Sequence, residues 1–142
     1  ANGEKLRKDR SLFVNWTKGL IYSWKYFNTD EKGTIKVIKK VTNQDDQWVY
    51  DHIYDAEGTA HITFHPDPFY NGCAPQYDVL VELGYIDASN ARPFPDYFDI
   101  SIYADALKEV IAENPGDQFY KDMWNYFVEN NNKYPDFSYT AL

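Results

Sequence analysis

The chain has 142 residues, a net charge of −8 and 18% aromatic residues, which fits one domain with an aromatic-rich core. Its single cysteine excludes an internal disulfide and thiolate-rich metal centres. No apolar run approaches the roughly 18 residues of a membrane-spanning helix, and the polar N-terminal residues are unlike a signal peptide. We therefore expect a soluble, cytoplasmic protein without membrane partners.

Charge is distributed unevenly along the chain. Residues 1–41 contain ten basic and four acidic residues, whereas residues 42–142 contain four basic and eighteen acidic ones. Two interpretations stay open: the two segments neutralise each other within one chain, or the acidic region binds a basic protein. The basic N-terminal segment is also a candidate connector between copies in a homo-oligomer. Direct nucleic-acid binding is disfavoured, because an acidic surface repels phosphates.

Residues 1–10 are predicted to form a flexible charged arm, and residues 11–142 a single globular domain. From Ser11 onward, aromatic and β-branched residues alternate with turn-forming clusters, which favours an antiparallel meander. The five predicted strands are Leu12–Trp16, Leu20–Phe27, Thr34–Val41, Gln47–Tyr54 and Thr59–His65.

The first two predicted strands have a helical alternative. Apolar residues recur there at the spacing of one helix face: Phe13, Trp16, Leu20, Trp24 and Phe27. The segment has Gly19 inside it, contains neither Ala nor Glu, and is dominated by poor helix formers. Propensity therefore favours strands for residues 12–27, and a helix stays open as the alternative.

The pattern becomes helical after residue 68. Helices are predicted over residues 75–83, 97–113 and 117–130, each with an apolar stripe or a recognisable start and stop signal. The tail over residues 135–142 is predicted to be extended and to lie against the body through Phe137 and Tyr139. Strands followed by helices predict an α+β fold, with three helices packed on one face of the sheet.

The hairpin of the last two predicted strands contains the most informative candidate site. With its loop at residues 55–58, His52 lies opposite His61, and strand alternation collects one face: Trp48, Tyr50, His52, Tyr54, Thr59, His61, Thr63 and His65. Such a face is a solvent-facing sheet surface, a stacking platform for a base or sugar, or a catalytic or metal site. His65 lies roughly 13 Å along the strand from His61, so the histidines do not converge, and we predict no metal or other cofactor.

Acidic residues decorate the predicted helices. Asp105 and Glu109 are four residues apart on one helix face, and Glu113 continues the row. A solvated surface explains them, and so does a patch that is complementary to a basic protein.

No motif in the sequence is specific enough to name an activity. Cys73 precedes a predicted helix, where a thiolate is stabilised, but we interpret it as a small half-buried turn residue. The leading hypothesis is a non-enzymatic protein–protein interaction module, such as an inhibitor or neutralising partner of a basic, nucleic-acid-handling protein. The alternative is a small ligand- or nucleotide-binding protein or hydrolase that uses the aromatic–histidine face.

Overall fold

The structure, a computed structural model, describes residues 3–55 and 64–142. Those residues form seven α-helices and one 3₁₀ helix, with no β-strand among them. The α-helices are α1 (Gly3–Lys8), α2 (Arg10–Thr29), α3 (Glu31–Thr42), α4 (Asp46–Ile53), α5 (Tyr70–Glu82), α6 (Ser101–Glu113) and α7 (Gln118–Asn131), and the 3₁₀ helix is Phe94–Tyr97. None of these helices has the length and apolar character needed to cross a membrane.

The predicted α+β fold with its antiparallel meander is wrong. The first two predicted strands lie within α2, the third lies within α3, and the fourth coincides with α4. The fifth lies outside the described residues except for Phe64 and His65, which are not in a strand. The predicted sheet is therefore absent from the part of the chain that the structure describes, and the helices have no sheet there to pack on.

Residues that favoured turns cap helices instead. Asp30 and Asp45 each accept, at 2.8 Å, the backbone N–H three residues later, at the starts of α3 and α4. Asn43 ends α3 in the left-handed conformation, with φ of 58°. Asp and Asn serve turns and caps equally well, because their short side chains hydrogen-bond nearby backbone groups. The sequence analysis thus placed turns between strands at positions where these residues begin or end helices.

The helical alternative is the correct one for residues 12–27. The buried positions of α2 are Val14 and Ile21, seven residues apart, whereas Trp16 from the predicted stripe is 71% exposed. Helix propensities of ordinary residues differ by only about 0.7 kcal/mol, while burial of one large apolar side chain contributes about 1.5–3 kcal/mol. Burial therefore outweighs the β-propensity on which the strand prediction rested.

Contacts divide the chain into two compact units, residues 1–18 with 67–142 and residues 19–66. The division falls inside α2. Within the predicted flexible arm, Gly3–Lys8 form α1, which buries none of its residues. The arm and the single domain over residues 11–142 stay predictions.

In the first unit, α7 packs against both α5 and α6. The three helices predicted for this region are present, although α5 begins at Tyr70 and contains Pro75, and α6 begins at Ser101. The C-terminal tail lies along α7, where Trp124 Nε1 donates to the Thr140 carbonyl oxygen at 2.8 Å. The predicted contact of the tail with the body is confirmed.

In the second unit, α3 packs against α4. The unit's buried residues are Ile21 of α2, Thr34 and Ile35 of α3, and Val49 of α4. Tyr54 follows α4, and its hydroxyl donates to the Phe27 carbonyl oxygen at 2.9 Å. This small core holds the three helical segments together and positions the site described below.

A buried polar network joins the start of α5 to the end of α7. Asn131 has no exposed surface, accepts the Tyr70 N–H at 2.8 Å and donates to both carboxylate oxygens of Asp67 at 3.0 and 3.1 Å. Burial raises the pKa of Asp67 to about 6, and hydrogen bonds from Asn131 and the Phe69 N–H only partly oppose this rise. Asp67 is therefore a half-buried carboxyl group whose pKa lies in a mildly acidic range.

The free energy of unfolding should fall as Asp67 loses its proton. The pKa of Asp67 is higher in the folded chain than its ordinary value of 3.8, so the stabilisation from its neutral form is complete below about pH 4 and is lost as pH rises to about 6. We expect a loss of about 1–3 kcal/mol across this range, allowing for partial screening by solvent. The difference in stability between the wild-type chain and Asp67→Asn, measured by chemical denaturation at several pH values, isolates this effect. A difference that does not change with pH would mean that the pKa of Asp67 is the same in the folded and the unfolded chain.

Candidate functional site

The unit of residues 19–66 contains an apolar groove of about 770 Å³. Its apolar lining residues are Leu20, Trp24 and Phe27 of α2, Val37 and Ile38 of α3, and Phe64. We call this site the aromatic groove.

Stacked rings fix one side of the aromatic groove. The Phe27 ring centroid lies 5.2 Å from that of Trp24, 4.7 Å from that of Tyr54 and 5.5 Å from that of Phe64. Offset ring pairs at such distances stabilise their arrangement beyond simple burial. The groove is consequently a preformed surface whose side chains need little rearrangement to bind a partner.

Three of the apolar side chains that line the aromatic groove are exposed, while Trp24, Phe27 and Ile38 are half-buried. Leu20 is 45% exposed, Val37 53% and Phe64 46%. Tyr26 also lines the groove, and its ring approaches α3 so closely that a Cβ on Gly33 would lie 2.0 Å from its hydroxyl oxygen. Contiguous exposed apolar side chains of this kind mark binding surfaces more often than scattered ones do.

Helix α3 is basic on the side turned away from the groove. Lys32, Lys36 and Lys40 are four residues apart and exposed, and Lys32 and Lys36 lie across the helix from the groove-lining Thr34 and Ile38. Lys40 lies one helical turn beyond Val37 and is the nearest of the three to the groove-lining residues in helical register. Lys39 pairs with Asp46 at the start of α4.

The residues predicted to bind a ligand fall into two groups in the structure. In α4, the Trp48 and His52 rings stack with centroids 4.1 Å apart, while Tyr54 stacks on Phe27 of the aromatic groove. His65 contacts Trp24 at 5.2 Å, and burial lowers the pKa of its imidazole.

The other residues of the predicted aromatic–histidine face lie on α4 or outside the described residues. Tyr50 lies on α4 with its ring 6.2 Å from that of Tyr54. Thr59, His61 and Thr63 lie outside the described residues, and so does the predicted pairing of His52 with His61. The sheet face that was to align these residues is wrong, because residues 46–53 form a helix. A ligand-binding role for the individual side chains stays a prediction.

Side chains that could bind a metal ion do not cluster in the described part of the chain. Within residues 3–55 and 64–142, no three His, Cys, Asp or Glu side chains converge on a position that could hold a metal ion. Cys73 is partly buried in α5, and its thiol lies 3.8 Å from the Pro68 carbonyl oxygen. This contact matches a structural thiol.

The predicted partner-binding acids lie in the first unit and form ion pairs. Asp105 pairs with Arg10 at 2.5 Å, while Glu109 and Glu113 pair with Lys18 at 3.1 and 2.5 Å. Hydrogen bonds to these carboxylates raise the pKa of Arg10 and of Lys18. Part of the charge asymmetry is thus neutralised within one chain. The three carboxylates are still 43–53% exposed, and their role toward a partner stays a prediction.

A polar cavity of about 750 Å³ lies in the same unit. Arg7 and Arg10 line it together with Asp99 and Asp136, so it carries charges of both signs. Arg10 is already hydrogen-bonded to Ser101 and Asp105. The cavity therefore shows no charge preference for a ligand.

Comparisons with known proteins find no match for this chain among protein-family models, curated proteins or solved structures. The function proposed below is argued from the geometry of the aromatic groove.

Proposed function

We propose that this protein is a non-enzymatic interaction module that binds an acidic amphipathic helix of a partner protein in its aromatic groove. The observation that carries the proposal is a preformed apolar groove whose walls are partly exposed. Amphipathic helices dock into such grooves through apolar residues spaced three, four and seven apart.

The apolar lining favours a helix over a flat surface. Leu20 and Val37 come from two different helices and line the same concavity. A concave site surrounds an inserted side chain and removes more of its surface from water than a flat patch does. Aromatic residues such as Trp24 and Phe64 are typical anchors at the centres of interfaces.

The charge of α3 favours an acidic flank on the partner. The helix carries Lys32, Lys36, Lys39 and Lys40 against the single acid Glu31. Lys40, one helical turn beyond Val37, is the lysine nearest to the groove in helical register. Exposed ion pairs with such lysines add little affinity, but they speed association and make binding sensitive to salt.

A basic partner at Asp105, Glu109 and Glu113 is the second candidate, and the partial exposure of these carboxylates favours it. Such a partner has to displace Arg10 and Lys18 from their present ion pairs. Its binding should therefore strengthen when Lys18 is replaced by alanine, whereas binding in the aromatic groove should not change.

Replacing Val37 with aspartate should weaken binding of an acidic amphipathic peptide at least about tenfold, because a carboxylate would enter the apolar groove opposite the peptide's leucines. The probe is a fluorescently labelled helical peptide with leucines at i, i+3, i+4 and i+7 and glutamates on one flank. Fluorescence anisotropy with the full chain measures the dissociation constant at low and high salt. Leu12→Asp is the matched control, because Leu12 is 57% exposed and lies outside the groove.

Three results would argue against the proposal. The first is equal affinity of the Val37→Asp and Leu12→Asp variants for the acidic peptide. The second is binding of a lysine-rich peptide alone, strengthened in Lys18→Ala, which favours the second candidate. The third is binding to anionic lipid vesicles and to neither peptide.

A further inference from the structure

The polar cavity of the first unit, about 750 Å³ in volume, has apolar lining residues as well as charged ones. Its buried or half-buried apolar lining residues are Leu6 of α1, Phe98 and Ile100 before α6, and Phe137 of the C-terminal tail. Small-molecule sites occupy about 300–1,000 Å³ and combine an apolar lining with a few polar groups that orient the ligand. The cavity has the size and the lining of such a site.

Contacts with the body of the unit hold the C-terminal wall of the cavity in place. The Tyr134 hydroxyl donates to the Phe98 carbonyl oxygen at 3.1 Å. The Phe137 ring centroid lies 6.0 Å from that of Phe127 in α7. These contacts lie on both sides of Asp136 in the chain. The position of Asp136 in the cavity wall is therefore fixed before a ligand binds.

Two charged side chains in the cavity lining are left uncommitted. Three others are engaged in ion pairs or hydrogen bonds of the first unit: Arg10 with Asp105, Asp96 with Arg92, and Asp99 with Ser101. Arg7 of α1 and Asp136 of the tail are exposed, and neither side chain forms an ion pair or a hydrogen bond within the described residues. The cavity therefore presents one guanidinium group and one carboxylate group to a ligand.

We infer that this cavity binds a zwitterionic ligand with an apolar body, the chemistry shared by short peptides and aromatic amino acids. The ligand's carboxylate pairs with Arg7, whose planar guanidinium presents parallel N–H donors to a carboxylate. Its ammonium group pairs with Asp136, and its apolar body contacts the apolar lining. A ligand with one charge alone leaves one of the two side chains unpaired, which favours a zwitterion. The site is separate from the aromatic groove and does not depend on the proposed function.

A two-dimensional amide NMR titration of the full chain tests this site with four forms of one dipeptide, phenylalanyl-leucine. The forms have both ends free, only the carboxylate free, only the amino group free, or both ends blocked. Amides of the cavity lining should shift, and the form with both ends free should bind most tightly. Blocking either end should raise the dissociation constant about three- to tenfold, because one charge-assisted pair at a partly exposed site is lost.

Two charge-removing variants assign the ends of the dipeptide. Arg7→Gln should weaken binding of the forms with a free carboxylate about three- to tenfold, and Asp136→Asn that of the forms with a free amino group. Asparagine tolerates the left-handed conformation of residue 136, with φ of 56°, so the second variant keeps the backbone. Lys8→Gln and Asp78→Asn are the matched controls, because each removes an exposed charge outside the cavity lining. Val37→Asp in the aromatic groove should leave dipeptide binding unchanged.

The remaining outcomes decide for or against the inference. Equal affinity for the four forms, or equal affinity in the charge variants and their controls, would show that the cavity does not recognise a zwitterion and would overturn it. Amide shifts that Val37→Asp abolishes, or no shift with any form, would overturn it as well. L-phenylalanine distinguishes the two sources of the ligand: tighter binding than the dipeptide identifies an amino acid, and weaker binding identifies a peptide. Either result supports the inference when binding requires both Arg7 and Asp136.

Discussion

Replacing Phe127 with alanine should lower the free energy of unfolding by about 3–5 kcal/mol, which is the largest effect that we expect from a single substitution. Phe127 has no exposed surface. Its ring contacts that of Trp124 at 5.5 Å, that of Tyr103 at 5.5 Å and that of Tyr139 in the C-terminal tail at 5.3 Å. Truncation leaves a cavity where α6, α7 and the tail meet.

Tyr126→Ala is the matched control for Phe127→Ala. It removes an aromatic ring from the neighbouring position of α7, where the side chain is 42% exposed, and should cost less than about 1 kcal/mol. Hydrogen exchange of the α7 amides measures both losses and reports on this unit alone. Equal losses in the two variants would contradict the position of Phe127 at the centre of the core.

Replacing Asn131 with alanine should cost about 2–4 kcal/mol, because it removes hydrogen bonds from two polar groups in the interior of the first unit. The Tyr70 N–H loses its acceptor, and the Asp67 carboxylate loses two hydrogen bonds. The bonds from Asn131 lower the pKa of Asp67, so the pKa in the variant should rise further above about 6. Chemical denaturation as a function of pH measures both effects together.

Asn130→Ala is the matched control for Asn131→Ala. The Asn130 side chain donates to the Tyr126 carbonyl oxygen at 2.8 Å, just as Asn131 donates to that of Phe127 at 2.9 Å, but it has no contact with Asp67. Its loss should cost less than about 1 kcal/mol and leave the pH dependence unchanged. A pH dependence that is the same in both variants would show that Asn131 does not control the ionisation of Asp67.

The C-terminal helices were predictable because their apolar stripes are locally consistent. Tyr103, Leu107 and Val110 recur at helical spacing in α6, and all three are buried. The apolar pattern is less decisive in α7. Met123, Trp124 and Phe127 are buried, whereas Tyr126 is 42% exposed. Several faces of an aromatic-rich helix are apolar, and contact with α6 and the tail selects the one that is buried.

The N-terminal half was assigned incorrectly because two local signals disagreed. Helical periodicity in residues 12–27 and the four-residue spacing of lysines in α3 favoured helices, whereas β-branched and aromatic residues favoured strands. The strand assignment also separated the members of the aromatic groove. Trp24 and Phe27 were on the predicted stripe, but nothing local connects them with Val37 or Phe64.

The sequence by itself determined most of helices α5 to α7 and the uneven distribution of charge, because these depend on residues within a few positions of one another. Only the tertiary structure decided which charges neutralise each other. Lys18 pairs with Glu109 and Glu113, which lie 91 and 95 residues away, and no spacing rule identifies such partners. The tertiary structure also decided that the segments of α2, α3 and α4 are helical. Helix and strand differ there by a small propensity, and the surface against which Ile21 and Val49 are buried determines the outcome.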